Sequence, residues 1–254
     1  MSGDPALLVL DFPGRRPEAH ISELALDEHG FTSVYALESP LPTSPTTPEY
    51  AKELCTRRSF DRPLAVLAYC AAAPLAVAVS GLVAGPAGPL PIVLFDPQPT
   101  PPSEIAVEYD IVVRQVEGRM PPEAERPPRL DIERLVATPE AAIERIGADL
   151  RLRAVLALAA FGFTGAEAGK TAEGVVGMYI EWLTFLVGAH HGEQPGPRGP
   201  VLQVLSREHT DDLGWLGAAD VRTVRVPCDR PELATRPQAR AAVVEFLRGV
   251  RGAA

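Results

Sequence analysis

Residues 64–76 of the chain read LAVLAYCAAAPLA, and this segment indicates the type of fold. Its first six residues are apolar and strand-like, and the residues after Cys70 are small and helix-permissive. A sharp strand-to-helix turn needs small neighbours because the backbone approaches itself closely there, and Ala68 and Ala72 meet that need on either side of Cys70. The pattern predicts a thiol at a tight bend; the alternative is that Cys70 is a small buried apolar residue, as free cysteines often are.

The surrounding region from Pro63 to Phe95 contains no charged residue. It is long enough to span a bilayer, for which about 20 apolar residues suffice. The turn residues in Gly85-Pro86 and Gly88-Pro89 interrupt it, however, and favour a strand, a helix, a loop and a second strand. Central strands of parallel sheets also read as continuous apolar runs, so no membrane segment is expected.

Short apolar segments of strand length recur along the chain. The predicted strands are Ala6–Leu10, Ser33–Leu37, Leu64–Tyr69, Pro91–Phe95, Val201–Leu205 and Val221–Val226. Helix-compatible stretches separate most of them, which predicts an α/β fold with a mainly parallel central sheet and helices on both faces. In such a fold the functional groups lie at the carboxyl ends of the strands. We expect a single domain over residues 1–254.

Between residues 100 and 195 the strand pattern stops, and the sequence predicts a helical insertion that acts as a lid. The first helix is expected at Ser103–Glu117, before a proline-rich break. Residues 138–140 (Thr-Pro-Glu) mark a second start, since they combine an N-cap residue, an early proline and an acid. Thr171 with Glu173 marks a third.

Aromatic residues at Tyr179, Trp182 and Phe185 follow at helical spacing. One interpretation is that they pack the insertion onto the sheet. The other is that Tyr179 and Trp182 bind substrate, as a wall for an acyl or peptidyl chain. Both interpretations hold if one face of the helix packs onto the sheet and another face contacts substrate.

The composition limits the classes of partner. With 46% hydrophobic and 22% charged residues, a folded enzyme is expected. The net charge of -9 and the absence of long basic runs argue against nucleic acid. Three cysteines without a disulfide framework or metal-ligand spacing predict reduced thiols, no metal and a cytoplasmic location. The N-terminal segment does not look like a secretory signal.

The bend at Cys70 resembles the nucleophile turn of α/β hydrolases, where serine lies in the pattern G-x-S-x-G and residues 68–72 here read AYCAA. The order of elements is similar to that of the thioesterases of peptide and polyketide assembly lines. Leu7 to Gly14 resembles their first strand and oxyanion loop, and Val34 to Pro40 their next strand and proline turn. Asp96, directly after a strand, matches the position of their triad acid.

This resemblance implies a role for each position. Cys70 stands where the nucleophile belongs, and the backbone N–H groups of Ala71 and of Phe12 in the first loop would form the oxyanion hole. Tyr69 joins the aromatic residues of the insertion as a candidate for substrate binding. No cofactor is implied, because the substrate would arrive on the phosphopantetheine arm of an acyl or peptidyl carrier protein.

The last loop departs from the family, since residues 227–230 read PCDR and Arg230 stands where the catalytic histidine belongs. Arginine does not accept a proton at neutral pH. A cysteine nucleophile partly compensates for the missing base, because a nearby guanidinium favours the thiolate, which needs less help from a base. Alternatively, Asp96 and Arg230 form an ion pair across the former active site, which would favour a protein without activity.

Because Arg230 replaces the usual histidine, a histidine from elsewhere in the chain would have to act as the general base. His209, in the loop after the fifth strand, is the preferred substitute because that loop lies at the carboxyl edge of the sheet. His20, His190 and His191 are the other choices, and an exposed, solvated ring is the simpler interpretation for all four. Cys228 either faces the same cleft or is a core thiol.

The sequence therefore predicts a thioesterase-like enzyme of secondary metabolism, such as polyketide or nonribosomal peptide antibiotic biosynthesis. It would take an acyl or peptidyl thioester onto Cys70 for transfer, cyclisation or hydrolysis. The alternatives are a silent homologue that binds a carrier protein or intermediate, and a lyase or isomerase that reuses the cleft. Arg15 and Arg16 would meet a pantetheine phosphate or an acidic carrier protein, although a solvated surface pair is simpler.

Overall fold

A sheet of six parallel strands organises the larger part of the chain. β1 spans Ala6–Leu10, β2 Thr32–Tyr35, β3 Ala65–Tyr69, β4 Ile92–Phe95, β5 Val201–Leu205 and β6 Val221–Arg225. They lie in the order β2-β1-β3-β4-β5-β6, and each neighbouring pair is parallel. All of the predicted strands are confirmed, with ends that differ by no more than about two residues.

The computed structural model describes residues 5–12, 20–58, 60, 63–84, 88, 90–118, 120, 124–192, 199–210 and 220–253. The chain forms two compact units. The sheet unit comprises Met1–Leu41, Thr47–Pro99 and Gly192–Ala254, and the helical unit comprises Pro42–Thr46 and Thr100–His191. The helices of the second unit occupy the region predicted as an insertion. Its action as a lid and a single domain over residues 1–254 stay predictions.

The helices divide between the two units. Those of the sheet unit are α1 (Thr47–Arg57), α2 (Ala73–Leu82) and α7 (Pro237–Ala253), and those of the helical unit are α3 (Pro102–Glu117), α4 (Ile132–Leu135), α5 (Pro139–Ala159) and α6 (Gly165–His190). The uncharged segment from Pro63 to Phe95 folds as β3, α2 and β4, as predicted. With 10 residues, α2 is about 15 Å long, which is too short to cross a bilayer core of about 30 Å.

The core of the sheet unit lies on both faces of the sheet, because alternate side chains of a strand point to opposite sides. On one face, Leu67 and Phe95 belong to a buried cluster with Val243 and Leu247 of α7. On the other face, α2 packs against β3 and β4. The edge strand β6 is mostly exposed, which explains why it reads VRTVR while the inner strands are apolar.

The predicted starts of α3 and α5 are confirmed. α3 begins at Pro102, one residue from the prediction, and α5 begins at Pro139 directly after Thr138. The side chain of Thr138 makes no capping hydrogen bond, so the proline and the acid in the first turn are the signals that the structure uses.

The predicted start at Thr171 is wrong, because α6 begins at Gly165 and passes through Thr171. Ala168 and Ala172 lie on one buried face of this helix. Burial of that face extends the helix past the local start signal, as expected when tertiary packing outweighs propensity.

α6 has 26 residues and is, by length and composition alone, apolar enough to cross a membrane. Half of its most apolar window is buried inside the protein, and core helices pass the same test. The cytoplasmic location stays a prediction.

A buried charge cluster ties three segments of the helical unit together. The side chain of Arg153 is fully buried and donates to Asp149 at 2.7 Å, to the carbonyl of Pro128 at 2.7 Å and to Glu117. Burial raises the pKa of Tyr109, and the hydrogen bond that this phenol donates to Asp149 raises it further. The cluster joins α3, α5 and the segment before α4.

Candidate active site

Cys70 lies in a left-handed backbone conformation at the point where β3 ends. Tyr69 is still extended, Cys70 has a φ of 50°, and a short 3₁₀ turn then runs into α2. A left-handed conformation costs a non-glycine residue roughly 1–2 kcal/mol, since Cβ crowds the following carbonyl oxygen. The predicted tight bend at this thiol is therefore present.

The residues two positions before and after Cys70 are small, and both are tightly packed. Ala68 and Ala72 are both buried, at 0% and 3% exposure. Cys70 itself is only partly buried, whereas Cys228 is buried in the core cluster. The core interpretation thus holds for Cys228, and burial raises the pKa of that thiol.

Asp96 occupies a second strained position, directly after β4. Its φ is 40° and its side chain is fully buried. Oδ1 accepts a hydrogen bond of 2.7 Å from the backbone N–H of Ser206, and Oδ2 lies 3.4 Å from Nε of Arg230. Both carboxylate oxygens therefore have partners, and the ion pair considered from the sequence is present.

Arg230 is held from three sides at the end of the loop after β6. Besides the contact with Asp96, it donates to Oε1 of Gln98 at 2.7 Å, and its carbonyl accepts from the hydroxyl of Tyr69 at 3.4 Å. Burial lowers the pKa of Arg230, but its interactions with Cys70, Asp96 and Tyr69 outweigh this and raise the pKa above its ordinary value. The guanidinium is a fixed cation that interacts electrostatically with the thiol.

His209 is buried, contrary to the simpler expectation of an exposed ring. Its side chain is 3% exposed, and Nδ1 lies 3.9 Å from Oδ1 of Asp96, longer than a hydrogen bond. Within the described residues, its Nε2 has no hydrogen-bond partner. Arg225 donates to the His209 carbonyl at 2.9 Å and so anchors the backbone.

The other three candidate histidines have different neighbours. His20 is 3.6 Å from Asp11, which accepts from the backbone N–H of Ile21. In the helical unit, the ring of His190 bonds to the carbonyl of Thr100 and that of His191 to the carbonyl of Val136. All three rings are partly buried, and those of His190 and His191 are hydrogen-bonded to backbone carbonyls, so these two are not freely solvated.

Cys70 lies beside the reversal of the strand order. The strand order reverses between β1 and β3, and ligands of open parallel sheets bind at the carboxyl ends of strands beside such a reversal. Cys70 follows β3, Phe12 comes shortly after β1, and Asp96 follows the adjacent strand β4. These three candidate residues therefore lie at the same edge of the sheet, and their role as a site stays a prediction.

Solved structures share this architecture at low sequence identity. A single-residue variant of a suspected epoxide hydrolase from Pseudomonas aeruginosa matches with a TM-score of 0.51 and 16% identity over 99% of this chain and 90% of its own. The four-domain nonribosomal peptide synthetase AB3403 matches with a TM-score of 0.49 and 13% identity over 99% of this chain, which spans about 20% of the synthetase. The wild-type Vlm2 thioesterase domain matches with a TM-score of 0.45 and 17% identity over 98% of this chain and 95% of its own.

The chain has the α/β-hydrolase fold. No protein-family model matches the sequence, and no curated protein matches it at a significant level. The predicted fold class is confirmed, and α/β-hydrolase proteins of the thioesterase and epoxide hydrolase types are among its structural neighbours.

The oxyanion hole of an α/β hydrolase stays a prediction for this chain. Ala71 is buried at the start of the turn after Cys70, where its N–H would be needed. Phe12 is the last described residue of its loop, and Arg15 and Arg16 lie outside the described residues. A role for that arginine pair in meeting a carrier protein is thus also a prediction.

The three aromatic residues predicted to bind substrate have different surroundings. Tyr69 is 5% exposed, and its ring stacks on Phe95 at 6.5 Å. In the helical unit, Trp182 donates to Glu108 at 3.0 Å and stacks on Phe185. Tyr179 lines a cavity of about 710 Å³. The geometry of Tyr69 gives it a positioning contact with Arg230, and substrate binding by all three stays a prediction.

Two residues of this candidate site were missed by the sequence reasoning. Gln98 fixes the guanidinium of Arg230, and its backbone N–H also donates to the carbonyl of Cys70 at 3.5 Å. Ser206 holds Asp96 through its backbone. Gln98 closely follows a strand, so a search for polar residues after each predicted strand would have found it. Ser206 acts through its backbone N–H, which such a search does not detect. The described residues contain no group of three or more His, Cys, Asp or Glu that could hold a metal.

Proposed function

We propose that this chain is a cysteine-dependent, thioesterase-like enzyme that accepts an acyl or peptidyl group from a carrier-protein thioester onto Cys70. The observation that carries the proposal is the left-handed backbone of this thiol at the carboxyl end of β3. Strained non-glycine residues persist only where the surrounding structure imposes them, and they concentrate at active sites. A strained, partly exposed thiol at the reversal of the strand order fits a nucleophile better than a packing residue.

The guanidinium of Arg230 supports this role. A free thiol has a pKa of about 8.5, and a neighbouring cation increases the fraction of thiolate at neutral pH. The interaction between Cys70 and Arg230 raises the pKa of the arginine, and by reciprocity it favours the ionised thiol. Asp96 and Gln98 hold the cation in place, so the first chemical step needs no histidine.

In that step the Cys70 thiolate adds to the thioester carbonyl. The N–H groups of Ala71 and Phe12 would stabilise the tetrahedral oxyanion. When it collapses, the new carbon–sulfur bond to Cys70 remains and the bond to the pantetheine sulfur breaks. The departing thiolate takes a proton from solvent. One thioester replaces another, so the exchange is close to neutral in free energy.

The second half-reaction decides the product. Water must lose a proton to attack the acyl-enzyme, and Arg230 cannot accept one. An amine or thiolate acceptor needs less help from a base, so transfer or cyclisation suits this site better than fast hydrolysis. His209 remains the candidate base because it is buried beside Asp96.

Intact-mass spectrometry after incubation with an acyl N-acetylcysteamine thioester tests the proposal. We expect one adduct of the acyl mass on the wild-type chain and none on Cys70→Ala. Cys228→Ala is the matched control and should retain the adduct, since that thiol is buried in the core. An adduct on Cys70→Ala, or none on the wild type at any pH from 7 to 9, would overturn it.

A second candidate is a silent homologue that binds a carrier protein or an intermediate. The observation that favours it is the occupation of both oxygens of Asp96, by Ser206 and Arg230, where an active triad acid would orient a histidine. Saturable binding of an acylated carrier protein with no adduct on Cys70 would select this candidate. Natural-product biosynthesis and a carrier-protein partner rest on the resemblance of the sequence and belong to both proposals.

A further inference from the structure

The sheet unit contains a cavity between α7 and the short 3₁₀ turn Leu26–His29, which precedes β2. The volume of this cavity is about 420 Å³, within the range of roughly 300–1,000 Å³ of small-molecule sites. Its described lining residues differ from those placed around Cys70. The cavity therefore raises the question of a ligand that the proposed acyl transfer does not involve.

Three basic side chains line this cavity from two elements. Arg240 and Arg248 belong to α7, and His29 ends the 3₁₀ turn. They come together on a chain whose net charge is -9. Guanidinium groups bind carboxylates and phosphates through charge-assisted hydrogen bonds that are often bidentate. The charge of these groups therefore favours an anionic ligand whose negative charge lies on oxygen.

Two nitrogen atoms of these side chains are buried hydrogen-bonding groups. Nε2 of His29 and Nε of Arg240 accept or donate no hydrogen bond within the part of the chain that the structure describes. The Nε of arginine can only donate, and Nε2 of histidine donates when it carries the proton. Unsatisfied buried donors are costly, so a small rotation of either side chain toward an oxyanion in the cavity would be favourable.

A carboxylate also lines the cavity, but it already has a cation. Oε1 of Glu245 accepts a hydrogen bond of 2.9 Å from Nη1 of Arg222. This bond lowers the pKa of Glu245 below its ordinary value, so the carboxylate stays ionised and paired at neutral pH. The Glu245–Arg222 pair adds no net charge to the site, and the charges of Arg240 and Arg248 remain for a ligand.

Apolar residues of α7 complete the lining. Pro237, Ala241 and Val244 follow one another at intervals of four and three residues, and so lie along one face of the helix. A ligand that pairs with the arginines can therefore place an apolar part against this face. Small-molecule sites commonly combine an apolar lining with a few polar groups that fix the orientation of the ligand.

We propose that this cavity binds a small organic anion. In this arrangement a carboxylate or phosphate group of the ligand pairs with Arg240 and Arg248, and an apolar part of the ligand lies against Ala241 and Val244. The site does not depend on the chemistry at Cys70.

Isothermal titration calorimetry of the full chain with benzoate, phenyl phosphate and benzamide tests the proposal. The measurement is made at pH 7 and low ionic strength, because salt screens exposed charges. We expect at least one of the two anions to bind at least about tenfold more tightly than benzamide, which has the same ring without the charge. The tighter anion identifies the ligand group as carboxylate or phosphate. Cys70→Ala should bind that anion equally well. Benzamide binding as tightly as both anions, or no binding of either anion at millimolar concentration, would overturn the proposal.

Two arginines of α7 provide a matched pair for locating the site. Arg248 and Arg251 are both exposed, but Arg251 does not line the cavity. Arg248→Gln should weaken binding of the preferred anion at least about tenfold, because a charge-assisted contact is lost. Arg251→Gln removes the same charge and should leave binding within about twofold, as expected for a screened surface charge. Equal losses in the two variants would show a general attraction to positive charge and contradict the assigned site.

Discussion

Nε of Arg230 lies 3.4 Å from Oδ2 of Asp96, so a fixed cation occupies the carboxylate that would orient a base in a hydrolytic triad. The same guanidinium interacts with Cys70 and is anchored by Gln98. The arrangement is suited to forming a thiolate and unsuited to activating water. If Cys70 is acylated, the two half-reactions should therefore differ strongly in rate.

Arg230→His should convert a slow acyl-enzyme into a hydrolase. A histidine beside Asp96 and Cys70 would supply the missing base, and general base catalysis typically contributes 10²–10⁴-fold. We expect at least about a tenfold faster release of free acid from preloaded chain, followed by the decay of the adduct mass. Arg207→His is the control, because the side chain of Arg207 is exposed and pairs with the exposed Asp229. Unchanged release in Arg230→His would argue against a role of this position in deacylation.

Alkylation with iodoacetamide should distinguish Cys70 from the other thiols. Burial raises the pKa of both Cys55 and Cys228, so these groups stay protonated at pH 7.5 and gain reactivity only as the pH rises well above that. Cys70 should therefore be labelled first, as followed by peptide mass mapping. A faster reaction at Cys55 or Cys228 would contradict this order.

The same assay measures the contribution of Arg230. Arg230→Gln removes the cation and should slow the labelling of Cys70 by about five- to tenfold, since one pKa unit is a tenfold change in thiolate near neutral pH. Arg207→Gln should leave the rate unchanged. A rate for Arg230→Gln equal to that of the wild type would show that the guanidinium does not favour the thiolate.

The fold and the bend at Cys70 were predictable, because the inner strands are fully buried and hence uninterrupted apolar runs. The small residues on either side of Cys70 predicted the turn, because only small buried side chains fit where the backbone segments approach each other closely. The positive φ at Cys70 and Asp96 was not visible, since glycine, the usual signal for such a conformation, is absent from both positions.

The surroundings of His209 and Asp96 were less predictable. His209 lies in a loop, where exposure is the ordinary expectation, and only the packing of that loop beside Asp96 buries its ring. The backbone bond from Ser206 depends on strand register and leaves no mark in the side-chain pattern. The start of α6 was also missed, because burial of Ala168 and Ala172 extends the helix to Gly165. This tertiary packing outweighs the local start signal at Thr171.

Cys70→Gly should be more stable than Cys70→Ala. Both variants lose the thiol, but glycine adopts a φ of 50° without the Cβ clash that alanine retains. We expect a difference in the free energy of unfolding of about 1 kcal/mol in favour of glycine, measured by urea denaturation. Ala241→Gly, on the exposed side of α7, should show the opposite sign, with a loss of about 0.5–1 kcal/mol. If Cys70→Gly were the less stable of the pair, the left-handed assignment would be wrong.

Arg153 and Arg151 test how far the helical unit depends on its buried charge cluster. Both lie on α5 and pair with carboxylates, but Arg153 is fully buried whereas Arg151 is 44% exposed and pairs with an exposed Glu173. Arg153→Ala leaves the buried Asp149 without its cation and leaves Glu117 paired with the more exposed Arg129, so we expect a loss of about 3 kcal/mol in the free energy of unfolding. Arg151→Ala should cost no more than about 1 kcal/mol, as exposed pairs do. Urea denaturation followed by far-UV circular dichroism measures both, and similar losses for the two variants would contradict a structural role specific to the buried cluster.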